Sequence, residues 1–206
     1  MVHQAYAPGT GRGAPVTTWG AAGRPKQGQH VSGDVYVVCE YGQSQLLVAV
    51  IDGLGGGEEA ARAARAAERV LREHPGWSLK ELVQESHMAL HNTRGAVIGL
   101  LQLNLEAHQA AYVGVGNISA HVYSRQPIKP ISKNGILGFR LPALLELRYT
   151  YDPGDIFVLY SDGVSSRFSQ DIQLDIRTLP QQLADQILSG YGKTIDDATV
   201  VVVKTT

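Results

Sequence analysis

Cysteine is nearly absent. The 206-residue chain carries one, Cys39, which excludes an internal disulfide framework and suits a reducing cytoplasm. Long apolar runs are absent as well: nothing approaches the ~20 residues needed to cross a bilayer. The opening residues lack a basic segment followed by an apolar stretch, so they do not read as a signal peptide. Charge of one sign is missing too. Eighteen basic residues stand against nineteen acidic ones, a net charge of -1, and no global field draws the chain to nucleic acid or a membrane. There is no internal repeat and no low-complexity tract. Neither a Gly-x-Ser-x-Gly elbow nor a cysteine-based phosphate loop occurs. What remains, with 44% hydrophobic and 18% charged residues, is an ordinary globular composition expected to lie in the cytoplasm.

Glycine is plentiful, at 23 residues, and much of it is clustered. Gly11-Arg12-Gly13 falls in a Pro/Gly/Gln-rich opening, residues 1–30, that reads as loosely packed; residues 31–206 read as one folded domain. Asp52-Gly53-Leu54-Gly55-Gly56-Gly57 and Gly114-Val115-Gly116 instead lie at the ends of strand-like runs, where the backbone turns sharply or takes part in chemistry.

Val35–Tyr41 and Gln45–Ile51 read as a hairpin around Gly42. Glu58–Glu73, rich in alanine, reads as a helix that starts on two glutamates and stops at Pro75-Gly76. Ser78-Leu79-Lys80-Glu81 is a capping box that opens a second helix through about Asn92. Strands follow at Val97–Leu105, Gln109–Val115, Ile118–Ser124, Leu144–Tyr151 and Ile156–Tyr160. A helix over Leu179–Leu188 and a last strand, Ala198–Lys204, complete the order. Consecutive strands with short turns imply antiparallel sheets with helices on their faces, an α+β fold.

Three aspartates share one local grammar. Asp52 ends a strand and precedes Gly53; Asp162 follows Ile156–Tyr160 and precedes Gly163; Asp34 follows Ser32-Gly33 and begins a strand. A fourth, in Asp196-Asp197, stands just before the final strand. A single Asp-Gly at a strand end is ordinary turn chemistry. Four carboxylates at sheet rims would repel one another unless a cation sat among them, and oxygen ligands suit Mg²⁺ or Mn²⁺ better than zinc.

Other signals carry less. The glycine loop before the first helix lacks the Lys-Ser/Thr ending of a P-loop. His87 and His91 stand four apart but have no third ligand, and read as surface or packing residues. Arg62, Arg65, Arg69 and Arg72 read as a solvated helix face. Trp19 and Trp77 read as packing residues.

The set of motifs resembles a known family. Val50-Ile51-Asp52-Gly53-Leu54-Gly55-Gly56-Gly57 is similar to the Asp-Gly-x-Gly motif of the PP2C-type (PPM) phosphatases. Tyr160-Ser161-Asp162-Gly163 resembles their Ser-Asp-Gly motif, and Asp196-Asp197-Ala198-Thr199 their terminal Asp-Asp/Asn-x-Thr strand. Gly114-Val115-Gly116-Asn117 and Ile136-Leu137-Gly138 fall in order between them, as in the SpoIIE-like bacterial branch. Asn92–Ala96 leading into a strand is similar to the RsbX-type stressosome phosphatases. The resemblance implies a four-layer α-β-β-α sandwich of two antiparallel sheets. It also implies a protein serine/threonine phosphatase acting on phosphorylated STAS-domain stressosome proteins.

By the same resemblance, two Mn²⁺ or Mg²⁺ ions would be held by Asp34, Asp52, the Gly53 carbonyl, Asp162 and Asp196, with Asp197 as the alternative to Asp196. Asp52 and Asp162 would hold the bridging, attacking water. Asn117 stands where members with a third metal often carry aspartate, so a third site is not expected. Arg24 is the nearest upstream candidate for the phosphate-binding arginine of eukaryotic members, and the short stretch Ser165–Thr178 leaves little room for a flap. The alternative function is a regulatory module that keeps the fold and binds a signalling partner; retention of the four acidic positions speaks against it.

Overall fold

The computed structural model describes residues 17–206. Nine strands and three helices follow one another as β1 (Thr18–Arg24), β2 (Asp34–Tyr41), β3 (Gln45–Gly53), α1 (Glu58–Glu73), α2 (Leu79–Ala89), β4 (Ala96–Asn104), β5 (Gln109–Val115), β6 (Ser119–Tyr123), β7 (Leu147–Thr150), β8 (Ile156–Tyr160), α3 (Pro180–Tyr191) and β9 (Ala198–Lys204). All pairings between these strands are antiparallel, giving one sheet in the order β1-β9-β8-β6 and another in the order β2-β3-β4-β5-β7.

Why the central strands are apolar throughout follows from three separate cores. In β3, Leu47, Ala49 and Ile51 face α1 and α2, while Leu46, Val48 and Val50 face the other sheet. In β9, Val201 and Val203 meet that inter-sheet core, and Val200 and Val202 turn outward to Leu183, Ala184 and Ile187 of α3. Both faces of each sheet are covered, so the usual polar-out alternation is lost. The layers run helix, sheet, sheet, helix, as expected from the sequence.

The helices begin and end for local reasons. In α1 the alanines at 60, 61, 63, 64 and 67 are buried against the sheet, because only a methyl group lets a helix lie so close. The Ser78–Glu81 capping box is formed in both directions, worth about 1 kcal/mol. The second helix stops at Ala89, earlier than the expected Asn92, where the chain turns over at Asn92 with φ 66°.

One expectation needs correction. Within the stretch 1–30, read as loosely packed, Thr18–Arg24 is a full strand paired along its length with β9; residues 1–16 lie outside the described residues. Glycine and alanine hid the strand, since they carry neither β-propensity nor an alternating pattern. They are there for closeness: a Cβ on Gly20 would stand 2.2 Å from the backbone nitrogen of Gln181, so α3 rests directly on the β1 backbone.

Candidate metal centre

Strand parity places the acidic residues. Asp34 and Asp52 are cross-strand partners at the same end of β2 and β3, and both continue the row of side chains that faces the second sheet. On that sheet, Ser161 follows β8 and Thr199 lies in β9, each in register with inward-facing neighbours. The four side chains therefore meet where the sandwich opens at one end.

Ser161, fully buried, donates its hydroxyl to Asp34 Oδ2 at 2.6 Å, and its Oγ accepts from the Thr199 backbone N–H at 3.0 Å. Asp34 is itself buried, and its other oxygen, Oδ1, has no hydrogen-bond partner. A buried carboxylate oxygen without a donor is costly, and a cation at the rim would satisfy it. Burial pushes the Asp34 carboxyl up to about 7; the hydroxyls of Ser161 and Thr199 oppose this, and Asp197 and Asp162 add to it. Asp52 is pushed up to about 8, first by burial and then by Asp34, Asp162, Asp196 and Asp197. Asp162 is also raised, by burial and by Asp196, with Lys193 and Asn117 acting against the shift. These carboxylates act on one another across the two sheets.

The adjacent pair divides into two roles. Asp197 is buried and spends both oxygens on backbone: Lys26 N–H donates to Oδ1 and Gly33 N–H to Oδ2, each at 2.8 Å. It clips the β1–β2 loop to the start of β9. Asp196 is half-buried and receives the Asp197 N–H on Oδ1 at 3.0 Å, which leaves Oδ2 for the rim.

Glycine beside each aspartate serves close approach rather than unusual torsion. A Cβ on Gly53 would lie 2.0 Å from the Ala60 carbonyl oxygen, and one on Gly163 would lie 1.8 Å from that of Asp197. Gly53 also donates its N–H to the Gly33 carbonyl at 3.1 Å. Only glycine lets the strand ends, the first turn of α1 and the 196–197 turn crowd together.

Among the described residues, no group of three or more carboxylate, imidazole or thiolate side chains stands together closely enough to hold a metal ion. The cluster is an open, oxygen-lined rim. That suits a hard divalent ion that keeps several waters and takes further oxygens from a phosphate, as Mg²⁺ does, better than a dedicated all-protein cage would. The residues present fit such an ion.

Several sequence readings find their places. Asn117 is not idle: its Nδ2 donates to Asp162 Oδ2 at 2.6 Å. Lys193, which nothing in the motifs singled out, donates from Nζ to the Asp162 carbonyl at 2.5 Å. Ser161 and Thr199 lay inside the motifs without an assigned task. Arg24 does not reach the rim; its Nη2 donates to the Gly192 carbonyl at 2.8 Å, closing the end of α3. His87 accepts the Gly138 N–H on Nδ1 at 3.0 Å, a packing role. Arg62 and Arg72 pair with Glu59 and Glu68 on the solvated face of α1. Trp19 packs edge-on to Tyr36, and Trp77 stacks on His74. No described helix is long and apolar enough to cross a membrane.

Comparison with known proteins identifies the family and the fold. Residues 42–206 match the family described as Stage II sporulation protein E (SpoIIE). A chain from a structure of the bacterial stressosome, described as a modular system adapted to control secondary messenger signalling, is 31% identical. It superposes with a TM-score of 0.86 over 92% of this chain and 100% of its own. Phosphoserine phosphatase RsbX of Bacillus subtilis (strain 168) is 27% identical over 142 residues, 68% of this chain and 71% of that protein. A crystal structure of RsbX in complex with magnesium shares the fold, at 23% identity and a TM-score of 0.81 over 92% of this chain and 96% of its own. The chain belongs to the SpoIIE family of PP2C-type protein serine/threonine phosphatases, which are hydrolases.

Proposed function

We propose that this phosphatase removes phosphate from serine or threonine of phosphorylated STAS-domain proteins in a bacterial stressosome. Its two Mn²⁺ or Mg²⁺ ions would be held by Asp34, Asp52, the Gly53 carbonyl, Asp162 and Asp196. The observation that carries the metal centre is the meeting of carboxylates from two sheets at one open rim, around a buried Asp34 whose Oδ1 makes no hydrogen bond to a described residue. Similarity to the stressosome chain and to RsbX supports the substrate.

Divalent ions held at this rim would polarise a water for attack on phosphorus and neutralise phosphate oxygens. The chain's own residues supply the positioning. Ser161 fixes Asp34 by one oxygen and leaves the other for the ion. Asn117 does the same for Asp162, holding Oδ2. Asp197 keeps the β1–β2 loop closed on the rim without offering an oxygen of its own. Cys39 lies within β2, the Ser161 hydroxyl is spent on Asp34 and the aspartates would serve as ligands, so attack by water needs no covalent intermediate.

The test is hydrolysis with and without Mn²⁺ or Mg²⁺, using phosphorylated STAS protein beside p-nitrophenyl phosphate and small phosphoesters. Cation-dependent release, with kcat/KM highest on the STAS protein, is expected. No release with either cation would sink the catalytic reading. Preference for a small phosphoester would sink the substrate.

A further inference from the structure

The rim carries an excess of negative charge that two divalent ions would only cancel, since four carboxylates are proposed as ligands. A phosphoserine side chain arrives with nearly two further negative charges. Positive charge from the protein itself would therefore help to retain it, and Arg24, the upstream arginine, is engaged elsewhere, on Gly192.

Two cations stand over the glycine loop that follows Asp52. A Cβ placed on Gly55 would lie 2.8 Å from Nη1 of Arg94, and one on Gly56 would lie 2.4 Å from Nζ of Lys26. These are successive residues, only ~3.8 Å apart at Cα, so the two side chains converge on one short segment from different elements. Neither side chain has a hydrogen bond or ion pair with a described residue.

Both are carried by backbone that the site itself fixes. The Gly95 carbonyl accepts the Leu54 N–H at 3.0 Å, and Thr93 Oγ1 accepts the Gly95 N–H at 3.0 Å while donating to the Leu90 carbonyl at 2.7 Å. Arg94 sits in that turn, three residues before Val97, the cross-strand partner of Asp52. Lys26 is held by its own N–H on Asp197.

We propose that Arg94 and Lys26 form the phosphate-receiving cation pair of this enzyme, Arg94 gripping two phosphate oxygens and Lys26 acting as a point charge. The inference rests on the phosphatase reading but concerns residues that hold no metal. The planar guanidinium suits bidentate contact with phosphate, which an ammonium cannot reproduce. The turn built around Thr93 gives Arg94 a fixed origin from which to reach over Gly55, so that little order has to be gained on binding.

The test measures binding as well as turnover. Inorganic phosphate and a phosphoserine peptide are titrated calorimetrically into Mg²⁺-loaded wild type, Arg94→Ala, Arg94→Lys and Lys26→Ala, with thermal midpoints and Mg²⁺ affinity measured on each. Loss of one charge-assisted contact weakens affinity on the order of tenfold. Arg94→Ala is expected to show that loss for both ligands and to raise KM more than it lowers kcat, with Arg94→Lys recovering only part. Lys26→Ala is expected to show a smaller loss, and Mg²⁺ affinity to stay unchanged in all. Phosphate affinity within twofold of wild type in both alanine variants would overturn the proposal, as would wild type that binds no phosphate. Phosphate binding that depends on Arg94 in a chain that hydrolyses no phosphoserine would leave this pair standing and remove the catalytic reading instead.

Discussion

Asp196 and Asp197 are chemically identical neighbours, yet hydrogen bonding separates them. Asp197 has both oxygens committed to the Lys26 and Gly33 N–H groups in a buried position. Asp196 keeps an oxygen at the rim and enters the electrostatics of Asp52 and Asp162. Substitutions should therefore diverge. Asp196→Asn is expected to abolish cation-dependent hydrolysis with little change in thermal midpoint, and Asp52→Asn and Asp162→Asn should do the same. Asp197→Ala leaves one buried and one part-buried donor unpaired and should cost about 2–3 kcal/mol of stability. Asp197→Asn keeps one acceptor and should retain turnover. Denaturant unfolding and initial rates on the same preparations check this; a dead Asp197→Asn beside an active Asp196→Asn would reverse the assignment. Sequence left this pair undecided, because the spacing of a motif fixes a position to within a residue and hydrogen-bond partners far along the chain decide the rest. The partners of Asp197 are 171 and 164 residues away.

At the scale of elements, legibility followed how strongly a segment relied on its own side chains. The helix Glu58–Glu73 and the strands Gln109–Val115 and Ile156–Tyr160 were readable to the residue, since alanine content or unbroken apolar runs determine them locally. β1 was not, because its Gly20-Ala21-Ala22-Gly23 core exists to let α3 and β9 approach rather than to favour a strand. That argument is testable in one helix–strand contact. Gly20→Ala forces the α3 backbone away and should cost about 1–3 kcal/mol, as overpacking does, while turnover per folded molecule is kept. Gly190 in α3 faces open space, so Gly190→Ala should instead stabilise by roughly 0.5–1 kcal/mol. Equal effects from the two would refute the claim that β1 is poor in side chains for packing reasons. The same logic explains why the Asp-Gly pairs were visible as a site: the glycines at 53 and 163 exist for crowding at the rim, and crowding is what a shared centre requires.

Over the whole molecule, the rim joins two sheets whose acidic residues push them apart. Asp34 and Asp52 come from the five-stranded sheet, Asp162 and Asp196 from the ends of strands in the four-stranded one. The inter-sheet core of Leu46, Val48, Val50, Tyr112, Phe157, Leu159, Val201 and Val203 holds the sandwich closed behind them. Burial and mutual repulsion raise the carboxyls of Asp34, Asp52 and Asp162, so with the metal removed the folded state carries charge that it would rather neutralise. A divalent ion held by the proposed ligands of both sheets would turn that repulsion into a cross-link and stabilise the folded state. At a hundredfold excess over its dissociation constant, ligation adds about 2.7 kcal/mol, or roughly 5–10 °C in thermal midpoint for a chain of this size. Wild type should therefore melt higher in Mg²⁺ than in a chelator by that order. Above about pH 8, where the buried Asp52 carboxyl is charged in the chelator, Asp52→Asn removes one repelling charge and should melt higher than wild type, and it should gain much less from Mg²⁺. Scanning calorimetry of both proteins in both conditions checks the pair of outcomes. A variant that loses midpoint in the chelator, or gains as much from Mg²⁺ as wild type, would mean that Asp52 holds the sheets by some contact other than the shared ion.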